Sequence, residues 1–235
     1  MKLVIKNLKK SYDGNQVLKD INFEFGEGKI YGLLGRNGAG KTTLFNCLNE
    51  DIEINEGEFY LSDKDQTKKI EAEDIGYVLS TPVVPEFLTG REFLKFFIDI
   101  NEDIVDKDKT IDDYFDLVKI DIKDRDKLMR EYSHGMKNKM QMLINIIYNP
   151  KILLLDEPLT SFDVVVAEEM KQLLKKIKKD HILIFSTHIM ELALDLCDEI
   201  VVLNNGKLEK IDKDNLDNEA LKNKIIETLK GEDND

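Results

Sequence analysis

Apolar and polar residues alternate over 3–9 and, less regularly, over 17–25, the period of two expected of half-buried β-strands. Residues 29–34 form a mostly apolar run, and Glu27-Gly28 supplies the turn before it. After a glycine-rich stretch at 35–40, residues 41–48 take a helical pattern, so strand, loop and helix follow in that order. Two further strands, 57–61 and 75–79, are expected as a pair that brackets a polar loop. From 81 the pattern changes: Pro82 and Pro85 punctuate the chain, and helical spacing follows at 90–100, 111–119 and 135–148, as in a helical insertion over about 81–148. Buried strands at 152–155 and 182–185 then alternate with helices at 164–179 and 189–197, the order of a parallel α/β sheet. A last pair of strands over 199–211 turns at Asn205-Gly206, and a tail over 212–235 carries one helix, 218–229, and a polar end.

Composition narrows the partners. The 42% of hydrophobic residues, spread through 235 positions, argue against a disordered chain although 34% are charged. A balance of 34 basic against 47 acidic residues argues against nucleic acid, whose phosphates are held by Lys and Arg. No apolar run approaches the roughly 18–20 residues of a membrane-spanning helix, and no signal-peptide pattern begins the sequence, so a cytosolic chain is expected. Cys47 and Cys197 match neither a zinc spacing nor a redox pair and read as reduced core residues. The acidic stretch 101–113 lacks the central Gly and terminal Glu of a calcium loop and reads as solvated surface. Lys175, Lys176, Lys178 and Lys179 complement the C-terminal dipole of their helix.

Gly35-Arg36-Asn37-Gly38-Ala39-Gly40-Lys41-Thr42 fits G-x-x-x-x-G-K-[ST] between an apolar strand and a helix, the context that motif needs. Glycines let backbone N–H groups close around phosphate oxygens, and the helix offers them its positive end. Lys41 supplies a point charge for β- and γ-phosphates, and the Thr42 hydroxyl is a ligand for Mg²⁺. At 152–157 an apolar strand ends in Asp156 and Glu157, outside the carboxyl ends where parallel sheets gather ligands. Asp156 suits the metal through water; Glu157 is placed to orient or deprotonate an attacking water. A capping pair before Pro158 is the alternative. Phe185-Ser186-Thr187-His188 likewise gives the next strand a polar tip. Alone, His188 reads as a cap or core residue, but beside the other two strand ends it reads as a γ-phosphate contact.

These residues in this order resemble the ATP-binding subunit of an ABC transporter over nearly the whole chain. Tyr132-Ser133-His134-Gly135-Met136, ahead of the acidic pair, is similar to the LSGGQ signature, and Thr160-Ser161-Phe162-Asp163 looks like the D-loop. The resemblance implies a P-loop NTPase parallel-sheet core with an antiparallel β-subdomain and an inserted α-helical subdomain, within an ATP-binding domain over 1–211. It implies ATP and Mg²⁺ as cofactors, with Gly35, Asn37, Gly38, Ala39, Gly40, Lys41, Thr42 and Thr43 around the phosphates and Tyr12 stacked on adenine; a strand-edge tyrosine is the plainer reading of Tyr12. It further implies a head-to-tail dimer with an identical chain or close relative, in which Ser133 and Gly135 meet γ-phosphate in trans and Asp163 crosses the seam. ATP binding then closes the dimer and hydrolysis reopens it.

Two departures stand out. Where the family carries a glutamine that reaches Mg²⁺ and water, this chain has Ser80, whose hydroxyl is about two bonds shorter and reaches metal only through water or a shifted loop. His134 and Met136 replace the first glycine and the glutamine of the signature, while Ser133 and Gly135 remain. The function expected is ATP hydrolysis coupled to transport through a separate membrane permease, peripheral on the inner face of the cell membrane. The short chain and altered signature resemble exporter subunits. Residues 81–97 are the expected docking segment, with Phe87, Phe93, Phe96 and Phe97 as contacts if exposed and as core if not. The alternatives are a slow-hydrolysing ATP switch and a soluble ABC ATPase that reports to a protein partner.

Overall fold

The computed structural model describes residues 1–64, 66–160, 162–212 and 218–230. Ser161 and the polar end at 231–235 lie outside the described residues.

β1 (Lys2–Tyr12) and β2 (Asn15–Gly26) form an antiparallel hairpin, with Leu3, Ile5 and Leu8 of β1 buried. Its two-residue turn has positive φ at Asp13 and Gly14, the geometry whose twist matches paired strands. β3 (Lys29–Leu34) then leads through the glycine-rich loop into α1 (Lys41–Leu48), at the bounds the pattern gave. β4 (Glu56–Asp63) returns to pair with β1, and the short β5 (Gln66–Lys68) adds to β4, completing a four-stranded sheet in the order β2-β1-β4-β5.

The structure corrects the expected pairing of 57–61 with 75–79. β6 (Ile75–Val78) lies at the edge of the other sheet, paired in parallel with β7 (Ile152–Asp156). β5 and a 3₁₀ turn at Ala72–Asp74 carry the chain across, and the capping contact of Glu71 with Asp74 fixes that turn.

The second sheet has the order β10-β9-β3-β8-β7-β6, with β8 (Ile182–Thr187), β9 (Glu199–Asn204) and β10 (Lys207–Ile211); only β10 runs antiparallel. Every residue of β7 and β8 is buried, as a parallel sheet covered on both faces demands. Period-two alternation divides these strands between two cores. Tyr31, Leu33, Ile152, Leu154, Ile182 and Ile184 pack with α1 and the first sheet. On the opposite face, Leu153, Leu155, Leu183 and Phe185 share a core with the helices.

Those helices are α2 (Gly90–Ile100), α3 (Ile111–Leu117), α4 (Ile122–Arg125), α5 (His134–Tyr148), α6 (Val164–Ile177), α7 (Met190–Leu196) and α8 (Asn218–Lys230). Thr89 and Thr110 start α2 and α3 with reciprocal capping boxes, through Glu92 and Asp113. The one-turn α4 follows no pattern a sequence shows; it puts the buried guanidinium of Arg125 between the carboxylates of Asp112 and Asp116. Cys47 and Cys197 are buried and in the reduced form, and burial pushes the thiol of Cys47 up to about 11. The 101–113 stretch is largely exposed.

Gly57 locks β4 against β1. Its φ is +95°, and an added Cβ would lie 2.5 Å from backbone atoms of Lys6 and Asn7, which cannot swing aside. Gly57→Ala is expected to cost about 3 kcal/mol of folding stability, read by denaturant unfolding. A loss under about 0.5 kcal/mol would show that the two strands yield at this point.

Candidate functional site

Because β3, β8 and β7 are parallel neighbours, the loop after β3, His188 after β8 and the acidic pair ending β7 emerge at one edge of the sheet. The loop 35–40 closes over the start of α1. Gly40 takes φ +104° as the residue preceding the helix, and its missing side chain leaves room for Val17, 2.9 Å from where a Cβ would stand.

Lys41 is only 6% exposed. Its Nζ donates to the Gly35 carbonyl at 2.8 Å and the Arg36 carbonyl at 3.3 Å, and lies 3.8 Å from Glu157 Oε1. Burial draws its pKa down, against the pull of Glu157 and Asp156 upward. The Thr42 hydroxyl donates to Asp156 Oδ2 at 2.8 Å. His188 Nδ1 meets Glu157 Oε2 at 2.7 Å, which pairs the imidazole with the carboxylate. Ser186, which sequence reasoning passed over as part of a polar strand tip, contacts both Asp156 and Glu157. A polar residue at the end of an otherwise apolar strand was the only signal for it.

The site therefore gathers a glycine loop at a helix start, a sheltered ammonium, a hydroxyl–carboxylate pair and a carboxylate–imidazole pair. Phosphate recognition with general-base chemistry beside it is what that set can do. A family model described as ABC transporter matches residues 18–160.

The chain belongs to the ABC transporter family.

It is an ATP-binding subunit of an ABC transporter and an ATPase. The uncharacterized ABC transporter ATP-binding protein YhcH of Bacillus subtilis is 31% identical over 223 residues, covering 93% of this chain and 72% of the relative. The uncharacterized ABC transporter ATP-binding protein MJ1023 of Methanocaldococcus jannaschii is 34% identical over 211 residues, 88% of this chain and 75% of the relative. The sulfate/thiosulfate import ATP-binding protein CysA of Synechocystis is 30% identical over 215 residues, 90% of this chain and 60% of that protein. Among solved structures, an ATP-binding subunit of an ABC transporter superposes with a TM-score of 0.81 at 21% identity, covering 97% of this chain and 100% of that one. A dimeric post-hydrolysis state of the cassette MJ0796, bound to ADP and Pi, gives 0.75 at 21% identity over 89% of this chain and 99% of that one. The fold is that of ABC ATPase domains.

Among the described residues, the remaining candidate positions of this ABC ATPase make no hydrogen bond or ion pair with the phosphate-loop cluster. Tyr12 is 44% exposed at the end of β1, with the Lys10 ammonium 4.9 Å from its ring centre. Ser133 caps α5 through its hydroxyl, which accepts from Met136 N at 3.2 Å, and Gly135 lies in the first turn. Asp163 caps α6, accepting from Val165 N and Val166 N at 3.0 Å. Ser80 is exposed just beyond β6; among the described residues its hydroxyl makes no bond to Thr42 or Asp156. Phe87 and Phe96 are exposed, whereas Phe93 and Phe97 pack on the helical core.

Proposed function

We propose that this ABC ATPase binds Mg·ATP in the loop 35–43 and hydrolyses it to drive transport, with export as the direction, through a separate membrane permease. The observation that carries the reading is the convergence of Lys41, Thr42, Asp156, Glu157 and His188 at one sheet edge. Gly35, Asn37, Gly38, Ala39 and Gly40 line the phosphates with backbone N–H groups, Lys41 neutralises them, and Thr42 and Thr43 begin the helix beneath. Tyr12 stacks on adenine; its ring is exposed at the end of β1.

Thr42 and Asp156 fit Mg²⁺. They are hard oxygen donors already 2.8 Å apart beside the phosphate cradle, and Mg²⁺ takes one or two such groups with phosphate and water completing the set. When bound, the ion neutralises charge on the β- and γ-phosphate oxygens. Glu157 accepts the proton of the attacking water. His188 holds that carboxylate through Nδ1 and contacts the γ-phosphate. The Ser80 hydroxyl reaches the metal shell through water.

Ser133 and Gly135 complete the site from a second subunit, and Asp163 lies at the seam. Among the described residues, Ser133 and Asp163 bond only to the starts of their own helices within one chain, which leaves them for completion in trans, and the dimeric form of the superposed cassette supports the same reading. Residues 1–211 form the ATP-binding domain, the helical part over about 81–148 carries the signature, and 212–235 is an appended tail. Among the described residues no helix is long and apolar enough to cross a membrane, so the permease is a separate chain or segment. Phe87, 78% exposed, with Phe96 offers that partner an apolar surface. Export is supported by the likeness of the altered signature to exporter subunits; vesicle transport with the permease tests it, and uptake alone would reject it.

Ser80 favours one second reading, an ATP switch with slow turnover. Comparing wild type with Ser80→Gln and Glu157→Gln separates the two. Appreciable wild-type hydrolysis, abolished by Glu157→Gln and raised about tenfold or less by Ser80→Gln, supports the ATPase; a wild type as slow as Glu157→Gln supports the switch.

A further inference from the structure

We infer that Ser186 is a positioning residue that couples the two carboxylates of the site, orienting Asp156 with its hydroxyl while holding the backbone of Glu157. The inference rests on the roles proposed above for Asp156 and Glu157.

Ser186 is fully buried near the C-terminal end of β8, where a hydroxyl must find partners. Parallel register sets it opposite Asp156 of β7. Its one hydrogen goes to Asp156 Oδ1 at 2.5 Å, while Thr42 donates to Oδ2 at 2.8 Å. Both oxygens of that carboxylate are thereby fixed, one from α1 and one from β8. The arrangement resembles an outer-shell partner of a ligating carboxylate, whose loss typically costs about 10- to 100-fold in metal affinity or activity.

The same side chain acts on the next residue. Glu157 has φ +49°, a left-handed conformation unusual for a side chain other than glycine. Such a residue persists where its surroundings over-determine it. Here its N–H is shared between the Ser186 carbonyl at 3.2 Å and the Ser186 hydroxyl oxygen at 3.1 Å. This turn ends β7 and sends the Glu157 side chain to His188 and Lys41 instead of onward along the strand. A single hydroxyl thus ties the metal-side carboxylate to the water-side one. An alanine would leave Glu157 N only the carbonyl and Asp156 Oδ1 no donor from β8.

The test uses the full chain with Ser186→Ala, Ser186→Thr, Ser186→Cys and Glu157→Gln. Turnover, KM for ATP, nucleotide affinity in EDTA and Mn²⁺ affinity of the nucleotide complex, read by electron paramagnetic resonance, are compared. Ser186→Ala is expected to lower kcat about 10- to 100-fold and weaken Mn²⁺ binding by about tenfold, with KM and metal-free affinity within about twofold. Ser186→Thr, which keeps the hydroxyl, should recover both; if alanine prevents folding, Ser186→Cys, a weaker donor of similar size, carries the comparison. Unchanged kcat and Mn²⁺ affinity in the alanine variant, with Glu157→Gln inactive, would overturn the inference and leave the wider reading intact. Equal losses in the alanine and threonine variants would also overturn it, showing that packing alone matters. Normal turnover by Glu157→Gln would remove both readings together.

Discussion

ATP turnover by a Glu157→Gln protein is expected to fall about 10³-fold, while its nucleotide affinity stays within about threefold of wild type. Glutamine keeps the size of the side chain but cannot take a proton. The carboxylate is the only group of the cluster aimed both at a histidine, 2.7 Å away, and at the phosphate-loop lysine, 3.8 Å away. Removing its charge leaves the loop, the helix start and the Thr42–Asp156 pair as they are. Phosphate release and equilibrium binding on the same preparation read the two effects separately. Turnover within about tenfold of wild type would move the base elsewhere.

Lys41→Ala is expected to weaken ATP binding by about 100-fold or more, near 3 kcal/mol for a lost charge-assisted contact in a sheltered site. The ammonium is nearly enclosed, so little solvent would compete with a phosphate bound beside it. The carbonyls of Gly35 and Arg36 hold it at the mouth of the loop, and neither can replace its charge. Lys41→Arg should rescue poorly, because a planar guanidinium does not fit where a compact point charge folds back on two carbonyls. Titration with a fluorescent ATP analogue measures the loss. Affinity within about threefold of wild type for the alanine variant would show that the backbone alone binds the phosphates.

Local pattern carried much of this far. The strand–loop–helix unit around Lys41 falls at 29–34 and 41–48 as its apolar run and glycines predict, since each part is specified by neighbours in sequence. The apolar runs of β7 and β8 announced strands covered on both sides. What failed was pairing over distance. Residues 57–61 and 75–79 look like the arms of a hairpin, yet Ile75–Val78 finds its partner at Ile152–Asp156, and no local feature encodes that register. Ser186 was hidden for the same reason. Its meaning depends on standing opposite Asp156, a relation between strands and not a spacing along one. The one-turn α4 was missed because four residues cannot display a helical period. Ser133, Gly135 and Asp163 were legible only through family likeness, because within one chain Ser133 and Asp163 cap helices, Gly135 lies in a first turn, and among the described residues none of them bonds to the phosphate-loop groups.

Central to the proposed function is the closing of two copies of the cassette, or of this one and a close relative, on ATP. Light scattering on the Glu157→Gln chain with saturating Mg·ATP measures that most directly. A nucleotide-dependent rise to the mass of two chains, reversed when nucleotide is removed and abolished by Ser133→Ala, is the result predicted. A single-chain mass at every nucleotide concentration, both alone and with a close relative of the chain added, would contradict it.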